Sequence, residues 1–179
     1  MVIAAVAAVV SGCAEDAREE GPRFVQRADS RLVKVQSVGL AAFGPINPHK
    51  ATPEHAVAAF GEPSGVERQG AVCRRRWRDL GLTIDFATEG DPCGPDAGIE
   101  LLRVTGPAAV DADWHTAEGI RPGMSVAAAL RRYPEARRAG TRRVLVEGPA
   151  GDDPQEIVTV LAVTTQAGRV DAMTFPIGE

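Results

Sequence analysis

Between Leu82 and Ala87 the chain reads LTIDFA, with Leu82, Ile84 and Phe86 apolar and Thr83, Asp85 and Ala87 on the other parity. A period of two predicts a strand in a sheet with one covered and one open face, because successive side chains point to opposite sides. From Ile157 to Val163 both parities are apolar. That run predicts a central strand, or one buried where two parts of the molecule meet. "AVCRRRWRDL", "GIELLRV", "TRRVLVEGPA" and "RVDAMTF" are further short β-type runs bounded by Gly, Pro or Asp. "TQAGRV" predicts a hairpin turn at Gly168.

Helical spacing occurs twice. Ala56, Val57 and Phe60 share one face of a helix opened by the hydroxyl of Thr52, with Pro53 in its first turn. Ala129, Leu130 and Tyr133 do the same after Ser125. Setting Ser125 over Thr52 aligns the helix starts and the apolar positions. It also aligns the stops, Gly61-Glu62-Pro63 with Pro134-Glu135-Ala136, and the strand runs that follow. The expected fold class is therefore α+β, as two tandem units over residues 37–110 and 111–179. Each would be a short helical segment packed on an antiparallel sheet of three to four strands. Trp77 and Trp114, in a chain poor in aromatics, are expected to close the core.

"GIRPGMSVAAALRRYP" and "ATPEHAVAAFGEPS" together resemble the motif of the SmpA/OmlA (BamE-like) envelope lipoproteins, where a Gly-Met-Ser/Thr start leads into a helix ending in Leu/Phe-Gly-x-Pro. The second stretch keeps the end (Phe60, Gly61, Pro63) and the first keeps the start (Gly123, Met124, Ser125). Two such units in tandem resemble the architecture of β-lactamase inhibitory proteins, and the resemblance spans roughly Val38 to Phe175. It implies an envelope binding protein or an inhibitor of an extracytoplasmic enzyme. It places no partner-binding residue.

The N-terminus gives a location. Val2 to Val10 is an uncharged apolar run, too short to span a bilayer but fitting a signal-peptide core. Val10-Ser11-Gly12-Cys13 resembles the bacterial lipobox, so residues 1–12 are expected to be removed and Cys13 to carry lipid. No Lys or Arg precedes the run, which predicts a translation start upstream of Met1. Residues 13–36, rich in charge of both signs and without sustained period, read as a flexible tether. The even pair Cys73 and Cys93 reads as a disulfide in an exported chain. Metal binding is the alternative, but neither has a His or Cys neighbour at ligand spacing.

The chain has 179 residues, 44% hydrophobic and 25% charged, with net charge −4. That balance is globular and points away from nucleic acid. There is no P-loop, no dinucleotide fingerprint and no Gly-x-Ser-x-Gly, and no cofactor or metal is expected. "DADWH" sets Asp111 and Asp113 beside His115, the one weak case for a hydrolase; a polar linker anchored by Trp114 is the simpler reading. The Arg clusters are the most visible surface feature. Arg131 and Arg132 close the second helix, where they complement its dipole and cover apolar surface with their stems. Arg74 and Arg76 fall on one side of a strand, with Arg75 and Trp77 on the other. Read as function, Arg74, Arg76, Trp77, Arg131 and Arg132 are the candidate partner-binding set. The expected role is that of a non-enzymatic module, moored to the membrane by Cys13, binding a protein or an anionic envelope component.

Overall fold

The computed structural model describes residues 31–36, 39–150 and 153–177. Strand accounts for 49% and helix for 17%, so the molecule is mostly β. Among the described residues eleven strands follow one another: β1 Leu32–Gln36, β2 Gly39–Phe43, β3 Gly65–Gln69, β4 Val72–Trp77, β5 Leu82–Ala87, β6 Gly98–Thr105, β7 His115–Thr116, β8 Arg137–Ala139, β9 Arg142–Ala150, β10 Asp153–Gln166 and β11 Arg169–Pro176. Three short α-helices interrupt these strands: α1 Pro53–Phe60, α2 Gly106–Asp111 and α3 Val126–Arg132. Eight strands form one antiparallel sheet in the order β3-β4-β5-β6-β11-β10-β9-β8, and β2-β1-β7 form a second, smaller one.

This corrects the expected α+β fold of two helix-on-sheet units. The strands following each of α1 and α3 do not close a sheet of their own. They share one, because β6 pairs with β11 from Thr105↔Ala172 to Leu101↔Pro176. The inter-strand hydrogen bonds across that seam remove an edge from each set of four. The pattern of apolar residues marks which segments are strands but carries no record of which distant strands meet. The smaller sheet is a further correction. Leu32–Gln36, expected in the tether, is a strand paired antiparallel to β2 and parallel to β7, with Val33 fully buried. The rest of the tether, residues 13–30, and Cys13 lie outside the described residues, as does the leader.

Local chemistry explains the helix limits. Ser125 caps α3 by accepting from the backbone N–H of Ala128 at 3.2 Å. At α1 the ring Nδ1 of His55 accepts from the backbone N–H of Thr52 at 3.2 Å, the reciprocal role usually filled by Glu in a capping box. α1 ends at Gly61, whose φ of 80° suits glycine, and Pro134 follows the last residues of α3.

One core lies between the large sheet and the elements laid over it. Leu82, Ile84 and Phe86 of β5, Leu102 and Val104 of β6, and Met173 and Phe175 of β11 meet Ala56 of α1, Ala129 of α3, and Leu40 and Phe43 of β2. Trp114 is fully buried, stacked at 4.6 Å on Phe43, and its indole N–H donates to the Leu80 carbonyl at 2.9 Å. A disulfide joins Cys73 on β4 to Cys93, with Cα atoms 5.1 Å apart, pinning the long β5–β6 connection to the sheet. Closing a loop of that length contributes about 3 kcal/mol by chain entropy. Among the described residues no helix is long and apolar enough to cross a membrane.

Candidate functional site

Side chains that alternate away from this core define the other face of the large sheet. On β4 these are Arg74 and Arg76; on β5, Thr83 and Asp85; on β6, Leu101 and Arg103. Register sets them side by side: Arg76 opposes Thr83 and Thr83 opposes Arg103, while Arg74 opposes Asp85 and Asp85 opposes Leu101. Neighbouring strands are spaced by about 4.8 Å, so each row is a ladder of touching side chains. Together the six line a hollow of about 200 Å³. Farther across the sheet the same face is closed to solvent, for Thr174, Ala162 and Val144, which continue the Arg103 row, are all buried.

Charge within the hollow is largely spoken for. Arg74 grips Asp85 with two parallel bonds, Nε to Oδ1 and Nη2 to Oδ2, each 2.7 Å. Asp85 is nearly buried, its side chain 8% exposed, so that fork neutralises a carboxylate cut off from water. The bond to Asp85 holds the Arg74 pKa above its ordinary value. At the rim, Arg76 Nη2 donates to Glu67 Oε2 at 2.6 Å and Gln69 Nε2 to Glu67 Oε1 at 2.6 Å. The hydrogen bond from Gln69, then that from Arg76, hold the Glu67 carboxyl below the usual range. Three guanidiniums thus meet two carboxylates, and the remaining cation is Arg103. It is exposed, and its side chain makes no hydrogen bond or ion pair among the described residues.

The expected partner-binding set does not come together. Arg74 and Arg76 share the hollow. Arg131 and Arg132 sit in the last turn of α3, which packs through Ala129 on the opposite side of the sheet. Trp77 is 3% exposed, buried against Phe60 with its N–H donated to the Gly61 carbonyl at 2.7 Å. It is a core residue, and its place as a surface anchor is corrected. Arg103, Thr83 and Leu101 were missed. The alternation of LTIDFA put Thr83 on the open face, but only the β5–β6 register brings Arg103 beside it.

The hydrolase constellation is not assembled either. The His115 side chain is 38% exposed, with Nδ1 2.7 Å from the backbone carbonyl of Asp113 and 3.9 Å from its carboxylate, which is 72% exposed. No three His, Cys, Asp or Glu among the described residues gather where a metal could bind. Three larger depressions are lined by other described residues. One of about 410 Å³ is lined by Ile46, Lys50, Ala51, His55 and Ala59, and its His55 is committed to the α1 cap. A second, of about 420 Å³, is lined by Val110, Pro122, Ala167 and Arg169, and Arg169 donates to the Gly123 carbonyl at 2.7 Å. The third, of about 400 Å³, is lined by Trp114, Arg121, Pro122 and Met124. Its Arg121 is also exposed without a side-chain partner among the described residues, but it lies on the loop before α3, whereas Arg103 is held on a strand. Comparison with known protein families, with curated proteins and with solved structures finds no match.

Proposed function

We propose that the protein is a non-enzymatic binding module, exported and moored to the membrane through Cys13, which engages a protein partner with the open face of β4, β5 and β6. The observation that carries this reading is the hollow itself: a rigid, solvent-open stretch of sheet whose charges are internally paired except for Arg103. Sites held on strands are better fixed than sites on loops, and an unpaired Arg on such a platform suits a binding hot spot. The Cys73–Cys93 bond supports an oxidising compartment. The lipobox-like Val10–Cys13 run supports the anchor. A partner that is itself an enzyme would make the module an inhibitor.

A photo-crosslinking side chain placed at Val72, on the same face of β4 as Arg74 and beside the hollow, tests the surface in the native envelope. The expected result is a discrete protein adduct from position 72 and none from Glu135, exposed beyond α3. Equal labelling from both positions, or none from position 72, overturns the reading. For the anchor, mass spectrometry of the chain purified from its own host should show an acylated Cys13 as the first residue. An intact Met1 terminus refutes it.

A further inference from the structure

The hollow is selective in what it can accept, and on the reading above we infer that it receives one carboxylate, an Asp or Glu side chain of a protein partner, between the Arg103 guanidinium and the Thr83 hydroxyl. Three features point there. Both oxygens of Asp85 are taken by Arg74, and those of Glu67 by Arg76 and Gln69, so neither carboxylate draws Arg103 inward. Arg103 therefore presents donors suited to a bidentate carboxylate, and its lateral neighbour Thr83 adds a hydroxyl with no protein partner among the described residues. Leu101 lines the same hollow and offers apolar surface to the methylenes behind an incoming carboxyl.

Charge decides against the other anions. After internal pairing one positive charge remains, matched to a monoanion, while Asp85 and Glu67 stand close enough to disfavour the second charge of a phosphate. A lipid surface is held by clusters of cations, each contributing about 1 kcal/mol, and a single free Arg on a chain of net charge −4 is a poor match. A single acidic side chain fits the count.

The test is a side-chain NMR titration of the full, disulfide-intact chain with N-acetylglutamate methylamide. The Nε–H resonance of Arg103 should shift saturably, with a midpoint on the order of 10 mM for an isolated residue. Arg142, exposed on β9 and without a side-chain partner among the described residues, serves as the control and should show only a small, unsaturable drift. Thr83→Val should weaken the binding by about threefold, and Arg103→Lys, which keeps the charge but loses the fork, by about threefold or more. Parallel shifts at Arg142 and Arg103, no saturation at Arg103, or tighter saturation by inorganic phosphate or by phosphatidylglycerol vesicles would each overturn the assignment. The two readings fail separately. A position-72 adduct that survives Arg103→Gln unchanged sinks the carboxylate assignment and leaves the binding surface standing.

Discussion

Arg74 and Arg76 were legible as surface cations from CRRRWR, yet each is already held, one by Asp85 and the other by Glu67. Pairing depends on which residues lie across the strand, which a single sequence does not show. Trp77 illustrates the reverse. Its parity beside Cys73 placed it on the covered side, and the carbonyl of Gly61 satisfies its N–H there. Individual side chains also set a limit on alkaline stability. Burial, then the nearby Glu118 charge, pushes the Tyr133 phenol from 10.0 up to about 12. Because the folded state holds this proton more tightly than the unfolded chain, the associated stability is complete below pH 10 and is lost as pH rises toward 12. Ultraviolet absorbance should show the folded phenol ionising near that upper value and returning to its ordinary range in urea. An ordinary midpoint in folded protein would contradict its burial.

Short elements were easier to read than their partnerships. Caps at Thr52 and Ser125, the Gly168 turn and the runs that became β4, β5, β6, β10 and β11 were all visible as local patterns. The smaller sheet was not, because β1 is five residues long and its sheet is completed by β7, far along the chain. Ile157 is 58% exposed although it begins an apolar run interrupted only by Thr159, while Val160 to Val163 are buried. Apolar runs mark strands without marking where cover ends. One junction is unusually tight: a Cβ on Gly81 would lie 2.5 Å from both the Ala109 nitrogen and the Thr105 oxygen, where α2 meets the turn before β5. Gly81 also has φ of +57°. Gly81→Ala should therefore cost about 2 kcal/mol or more in urea denaturation. Gly140→Ala, with φ of +59° but open space around it, should cost less; equal losses would show that the contact with α2 is slack.

Because buried residues from Val33 to Phe175 belong to one cluster, the chain is expected to unfold as a unit. Fluorescence of the tryptophans and far-ultraviolet circular dichroism should trace one coincident urea transition, and amide exchange should be slowest along β6 and β11, at the centre of the large sheet. Two separated transitions would mean that the β6–β11 seam does not couple the strands on its two sides. The overall strand order was illegible for the same reason that the seam was: it is fixed by pairing between residues as distant as Leu101 and Pro176. The outermost strands have a consequence for behaviour in a crowded compartment. β8 is only three residues long, fully exposed and carries Arg137 and Arg138, while β3 at the far margin carries Glu67 and Arg68. Brief, charged borders make poor templates for a neighbour's backbone, so copies packed side by side are discouraged from stitching into a continuous ribbon.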